Sequence, residues 1–521
     1  MRALRAAVAL SVGVGVVATA APVAAAPRER AVRAVVVVRP GVALPLAVPG
    51  GRVSVVLRHV GAEVVSAPMS ALRALTADPR VAGMTPDRHG RVTGDDSDEG
   101  DSDGVLAAQA LGGQAGKPDT GAGVNVALLD TGVSDTPALN RASGRITDGV
   151  DVSQLAAGGP ALTSGHFTDG YGHGTFLASL IAGGRVPGSG KRAIGVAPAA
   201  RVVVVKVADS HGITSLSEVL AGLDWVASHA QAINVVNLAL AVDRPTAPAY
   251  GADPLTAAVE HVRAAGVVVV AAAGNKAGEV GDPGLDPQAL TVGAADVTGR
   301  KPQVAPFSGS GVVAGVSKPD VVAAGTHILG VINSDSEIAA THPEGWSDHG
   351  LFKGSGTSEA TAVTTGVVAA YLSKQPDADP LQVKAALRQQ ASTLRDPRAG
   401  AGLVSMVNGR GPRASADSAG ESGFDANSWN SNAWQGLPGW QEHLAGMWSG
   451  PAWTAVTWSA VTWSAVSWSS SNWSAVSWSA VSWSAVSWSA VSWSAVSWSA
   501  VSWSAVSWSA VSWSDYGWGD A

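Results

Sequence analysis

Hydrophobic positions along the chain follow three regimes. From residue 31 to 92, Ala34–Val38 and Val53–Leu57 are short apolar runs, Ser70–Asp78 has helical spacing, and Arg80–Met84 is a further run. This order predicts strand, strand, helix, strand, a small α+β unit. Between Asn125 and about Asn408, nearly continuous apolar runs occur at Val124–Leu129, Val202–Val207, Val235–Leu240 and Val267–Ala273. Helical patterns at Leu216–Ala230 and Leu255–Ala265 separate the later ones. Valine-rich runs with helical crossovers predict an α/β unit whose mostly parallel sheet is covered on both faces. Chemistry in such sheets sits at the carboxyl ends of the strands. The third regime is a Trp-Ser-Ala-Val-Ser repeat, with Trp at every fifth position from Trp448 to Trp518. A period of five fits neither a helix nor a strand. It suits a β-solenoid whose coil holds a whole number of pentads, or a low-complexity tail without fixed structure.

The segments between and before these regimes set the organisation. Arg2 and Arg5, the apolar stretch from Ala6 to about Ala20, and Ala24-Ala25-Ala26 read as an export signal over residues 1–26. A membrane anchor would need a longer apolar stretch and a different ending. Asp95 to Asp103 holds too many carboxylates to pack and belongs to a solvated linker over 95–116. Its spacing lacks the closing Glu of a calcium-binding EF-hand loop. The predicted organisation is therefore a leader (1–26), a small N-terminal unit (27–94), the linker, the α/β unit (117–408), a Gly/Ser/Asn/Pro-rich connector (409–446) and the repeat tail (447–521).

Composition sharpens this only in part. The 46 % hydrophobic fraction supports a sizeable core, and the absence of cysteine removes disulfides and Cys-based zinc sites. Formal charge is −7, but Arg2, Arg5 and residues 27–94 carry twelve Arg against four acids, so a basic front precedes an acidic body. The two should attract, and an acidic body without a basic patch excludes nucleic acid as a partner. No stretch after the leader is long and apolar enough to span a bilayer.

Three short blocks carry candidate chemistry: Leu-Leu-Asp130-Thr-Gly, Gly-His173-Gly-Thr and Gly-Thr-Ser358-Glu-Ala. A serine nucleophile needs an adjacent base, and the base needs an orienting carboxylate. Taken singly, each residue has a plainer reading: Ser358 as a helix cap, Asp130 and Asn275 as turn residues, His173 as a loop residue. Together, in the order Asp, His, Asn, Ser, and with Ala-Ala-Gly-Asn275 between the last two blocks, they make a specific set. Gly188-Ser-Gly-Lys191 is a poor phosphate loop, because Arg185 and Arg192 stand where Gly and Ser/Thr belong. No Gly-x-Ser-x-Gly elbow surrounds Ser358, and no His-Glu-x-x-His helix is present.

From Gly121 to Leu403 the chain resembles the subtilisin-like serine peptidases, supported by Gly195-Val-Ala-Pro198 and Lys318-Pro-Asp-Val-Val322. The resemblance implies a three-layer fold and an endopeptidase that needs no cofactor for its chemistry, with structural calcium common in the family but unplaced here. It implies Asp130, His173 and Ser358 as catalytic residues and Asn275 as the oxyanion donor. It implies Leu238, Ala239, Leu240 and Ala241, with Ala272, Ala273 and Gly274, as the walls that hold substrate. The unit over 27–94 resembles an inhibitor-type propeptide, so the expected partners are protein substrates and the chain's own propeptide. A secreted, self-processing zymogen follows, cut in or near the acidic linker. The tail is expected to contact cell wall or polysaccharide, or to act as a plain spacer. The alternative is a weakly active scaffold carrying an adhesive tail. Four neighbours depart from the family pattern: Phe176, Ala241, Glu359 and Ala362. Phe176 implies a packing change. Ala241 implies a narrower pocket or disturbed pairing with substrate. Glu359 implies added negative charge near the base.

Overall fold

The computed structural model describes residues 30–39, 41–92, 104–111, 115–187, 189–243, 253–313, 315–347 and 349–406, and the backbone of strands in the repeat between Ala452 and Trp518. The export signal, the acidic run at 95–103 and the connector at 409–446 lie outside the described residues.

The N-terminal unit comprises β1 (Ala31–Val38), β2 (Arg52–Leu57), β3 (Ala62–Pro68), α1 (Met69–Thr76), β4 (Val81–Pro86) and β5 (His89–Val92). The first four strands form an antiparallel sheet in the order β2-β3-β1-β4. Two strands, β3 and β5, are absent from the sequence reading. In β3 a buried acid, Glu63, interrupts the apolar pattern, and its carboxylate accepts the Leu46 amide at 3.0 Å. Alternation along β1 divides this unit between two cores. Val36 and Val38 pack with Leu72 and Leu75 of α1. Val35 and Val37 face the larger unit and join its core.

Further along are β6 (Val105–Leu106), α2 (Ala107–Leu111), β7 (Asn125–Asp130), β8 (Ile146–Asp151), α3 (His173–Ala182), β9 (Arg201–Lys206), β10 (Ile213–Ser215) and α4 (Leu216–Ser228). They are followed by β11 (Val235–Leu238), β12 (Leu240–Val242), α5 (Pro254–Ala264), β13 (Val268–Ala272), β14 (Leu290–Asp296) and β15 (Gln303–Val304). The α/β unit closes with β16 (Gly311–Val313), β17 (Val316–Lys318), β18 (Val321–Ala324), β19 (Ile328–Gly330), α6 (Glu337–Thr341), β20 (Phe352–Gly354), α7 (Thr357–Leu372) and α8 (Pro380–Gln390).

The main sheet runs β8-β9-β7-β11-β13-β14, all parallel, with β18 parallel and β15 antiparallel to β14. Residues of one strand alternate between its faces. Val126 and Leu128 of β7 pack with α3 and α7, whereas Ala127 and Leu129 pack with α4 and α5. The result is the subtilisin-like three-layer α/β fold, and it places the ends of β7, β11 and β13 beside the first turns of α3 and α7. The valine-rich runs read from sequence correspond to β7, β9, β11–β12 and β13. The strands β8, β14 and β18 were not among them. β14 passes through Gly293-Ala-Ala, small residues that carry little apolar signal.

In the repeat, three-residue strands centred on Trp pair in parallel with a register of twenty residues. Trp453 stands opposite Trp473, Trp473 opposite Trp493 and Trp493 opposite Trp513. The same offset joins Trp463 to Trp483 and Trp468 to Trp488. One coil thus takes four pentads, a number the five-residue period alone leaves open.

Candidate active site

Asp130 is the last residue of β7, and His173 is the first residue of α3. The two side chains meet at 2.8 Å between His173 Nδ1 and Asp130 Oδ1, with 3 % and 1 % exposure. The Thr131 amide donates to the same carboxylate oxygen at 2.8 Å, which fixes its orientation. Gly174 follows the histidine because a Cβ there would stand 2.1 Å from the Gly132 carbonyl oxygen. Asp169, to which the sequence reading gave no role, organises the first turn of α3. One of its oxygens accepts the Tyr171 and Gly172 amides at 3.1 and 2.7 Å, and the other accepts the Thr175 amide and hydroxyl at 2.7 and 2.8 Å. An Asp four residues before His in a glycine-rich loop is the signal that could have marked it.

Burial alone would lower the basicity of His173, but the carboxylates of Asp130, Glu359 and Asp169 outweigh it and raise the pKa above the ordinary imidazole value. With Nδ1–H committed to Asp130, Nε2 is the nitrogen that can take up a proton. Among the described residues Nε2 has no hydrogen-bond partner.

Ser358 is the second residue of α7, fully buried, and its Oγ donates to the Ala239 carbonyl at 3.4 Å. Asn275 lies beside it. Its Oδ1 accepts both the Thr357 amide and the Thr357 hydroxyl at 2.8 Å. The Thr357 hydroxyl in turn accepts the Gly274 amide at 3.1 Å. Because a backbone N–H can donate only to Oδ1, these bonds assign the side-chain flip of Asn275. Thr357, read from sequence only as a small residue beside Ser358, thus ties the Asn275 side chain to the Gly274 backbone.

The predicted wall residues fall on two segments. Leu238 ends β11, and Ala239 links it to β12, which holds Leu240 and Ala241. Ala272 ends β13, while the Ala273 and Gly274 carbonyls accept the Gly281 and Gly309 amides at 2.8 Å each. The first wall is paired: β5 of the N-terminal unit lies between β10 and β12 as the middle of a three-stranded antiparallel sheet. Val92 stands opposite Leu240, Arg91 opposite Ala241 and Gly90 opposite Val242. Strand pairing therefore runs through Ala241 without interruption. A Cβ on Gly90 would come within 2.8 Å of the Ala241 carbonyl oxygen, so the cleft closes tightly on that position.

Two of the departures from the family pattern, Phe176 and Glu359, have local explanations, and nothing in the structure explains Ala362. Phe176 packs edge-on against Phe352 at 6.2 Å, and Phe352 against Trp346 at 5.3 Å, an aromatic group under α3. Glu359 is buried in the first turn of α7, where a negative charge suits the helix N-terminus. Among the described residues no group of three or more His, Asp or Glu gathers to hold a metal ion, and no helix is long and apolar enough to cross a membrane.

The sequence profile of the subtilase family (Peptidase S8) matches residues 121–424. Serine protease AprX of Bacillus subtilis is 32 % identical over 309 residues, covering 56 % of this chain and 67 % of that protein. Subtilisin Savinase of Lederbergia lenta is 33 % identical over 287 residues, covering 55 % of this chain and 90 % of that protein. The solved structure of fervidolysin from Fervidobacterium pennivorans, described as a keratinolytic enzyme related to subtilisin, aligns with a TM-score of 0.55 at 23 % identity. It covers 73 % of this chain and 60 % of that one, a likeness that bears on the fold alone. With the family profile matched over more than half of the chain, the chain belongs to the subtilase family and is a subtilisin-like serine endopeptidase.

Proposed function

We propose that the protein is made as a secreted zymogen whose Ser358, His173 and Asp130 hydrolyse peptide bonds through an acyl-enzyme. As substrate enters, Ser358 Oγ exchanges the Ala239 carbonyl for His173 Nε2. Oγ then bonds to the scissile carbonyl carbon while its proton passes to Nε2. Asp130 keeps the imidazole in the Nδ1–H tautomer and stabilises the imidazolium. The oxyanion is received by the Asn275 amide and the Ser358 N–H at the start of α7. Collapse breaks the C–N bond, and the imidazolium protonates the leaving amine. A water molecule activated by His173 then releases the acyl group by the same steps.

The observation that carries this reading is β5. It adds to β10 and β12 as an extended peptide substrate would, by main-chain pairing, and its end runs toward the Ala239 segment that contacts Ser358. With Val92 opposite Leu240, the next residue of a substrate in this register would stand opposite Ala239, beside Ser358, and from the sequence alone we assign the processing cut to the Thr93–Gly94 bond. Residues 27–93 then act as propeptide and inhibitor, 1–26 as export signal, and the tail as a surface-attachment element. Expression of wild type and Ser358→Ala tests the core of this. Wild type should release the propeptide and hydrolyse casein, and the variant should do neither. A folded wild type that does neither would favour a scaffold carrying an adhesive tail. Deleting residues 447–521 should reduce retention on cells; unchanged retention rules out attachment.

A further inference from the structure

Arg88 lies immediately ahead of β5 and is almost entirely buried, although it belongs to the segment expected to leave. Its Nη2 donates to both oxygens of Asp253 at 3.0 and 2.7 Å. Its Nη1 donates to the Asp243 carbonyl at 3.1 Å and stands 3.6 Å from Asp282 Oδ2. Asp253 and Asp282 are 5 % and 0 % exposed at the side chain. Every acceptor in this pocket is supplied by the α/β unit. Asp253 caps α5 through the Leu255 amide at 2.8 Å, and the Asp282 carbonyl accepts the Val242 amide of β12 at 2.9 Å. The two aspartates therefore keep these anchors when the propeptide goes, beside the strand β12.

The backbone that presents Arg88 is bound as substrate backbone would be. The Leu216 amide donates to the Arg88 carbonyl at 2.8 Å, and the Asp243 amide to the His89 carbonyl at 2.8 Å. These bonds extend the two-sided pairing of β5 beyond its first residue. Counting back from the Thr93–Gly94 bond, Arg88 is the sixth residue on the acyl side.

We propose that Asp253 and Asp282, with the Asp243 carbonyl, form a specificity subsite for a basic side chain, arginine above lysine, at the sixth position upstream of the scissile bond. The proposal rests on the reading of β5 as a substrate-like strand. Two carboxylates and a carbonyl converge on one cationic group; an uncharged side chain would forfeit that attraction and an acidic side chain would be opposed. Acceptors at both terminal nitrogens suit the planar fork of a guanidinium better than the single ammonium of lysine. In the zymogen Arg88 holds this site closed. In the mature enzyme the site would read the substrate well away from the reacting bond.

The test uses the matured full-length enzyme and acetylated peptides of the sequence Xaa-His-Gly-Arg-Val-Thr-Gly-Asp-Asp, with Xaa as Arg, Lys, Ala or Glu. The proposal expects kcat/KM for the Arg peptide to exceed that for Ala by about tenfold or more, with Lys between them and Glu slowest. Asp253→Asn, which retains a side chain able to cap α5, should bring the Arg-to-Ala ratio toward one. Equal rates for the Arg and Ala peptides in wild type, or a ratio unchanged in the variant, overturn the subsite. Casein hydrolysis without cleavage of the Arg peptide overturns it as well. A preparation that cleaves neither casein nor any peptide contradicts the proteolytic reading itself, so the two failures are distinguishable.

Discussion

Thr357→Val replaces one hydroxyl with a methyl of the same shape, next to the proposed nucleophile Ser358 but without altering it. The change removes the bond from the Thr357 hydroxyl to Asn275 Oδ1 and leaves the Gly274 amide without its acceptor. A buried amide so stranded costs about 1–3 kcal/mol of stability, and the lost bond to Asn275 adds about 1 kcal/mol. Asn275 Oδ1 keeps the Thr357 backbone bond at 2.8 Å but loses the hydroxyl, so the side-chain amide is held less firmly. In subtilisin, full removal of the oxyanion asparagine costs about 2.7–4 kcal/mol of barrier. Loosening the donor without removing it should take roughly half of that, a fall in kcat of about tenfold to thirtyfold. KM should stay near wild type, because the donor acts on charge that develops only in the transition state. The assay is steady-state hydrolysis of a peptide substrate, with Thr357→Ser as the rescue variant that keeps the hydroxyl. A Thr357→Val enzyme with kcat within twofold of wild type would refute the role given to this residue. So would an equal loss in Thr357→Ser.

Two further predictions concern titration. His173 is more basic than an ordinary imidazole, in part because of Glu359, so the acid limb of kcat/KM should lie above the ordinary imidazole range. Glu359→Gln should move that limb to lower pH, and an unmoved profile would discard the influence. Glu218 is buried at the start of α4, where it accepts the Ala156 amide and the Ser215 hydroxyl, and burial pushes its pKa up to about 7. A carboxyl more basic folded than unfolded binds more protons in the folded state between roughly pH 4.5 and 7. Its contribution to stability is therefore lost as pH rises through that window, by up to about 3 kcal/mol. In a Ser358→Ala background, which avoids self-digestion, denaturant unfolding at pH 5 and pH 8 should show a smaller drop for Glu218→Gln than for Glu218. An identical drop would contradict the assignment.

The positions of the proposed catalytic residues were legible because each sits in a local block with a mechanical reason: a strand end at Asp130, helix starts at His173 and Ser358, and glycines where backbone crowds. The valine-rich strands were legible for the same reason, since burial on both faces writes itself into consecutive residues. What escaped was set by partners far along the chain. His89-Gly-Arg-Val92 has too little apolar pattern to read as a strand, and its pairing comes from segments more than a hundred residues away. Asp253 reads as an ordinary cap before Pro254, and nothing nearby announces that Arg88 meets it across 165 positions. The repeat showed its period, but the twenty-residue coil follows only from strand pairing.

The central claim is that Ser358 is the nucleophile of a working peptidase. Labelling the matured enzyme with a fluorophosphonate, followed by peptide mapping, tests it most directly. The account predicts one adduct, on Ser358, forming in step with the loss of casein hydrolysis and absent after His173→Ala. A preparation that hydrolyses casein but carries its label on another residue, or stays active with Ser358 fully labelled, would contradict it.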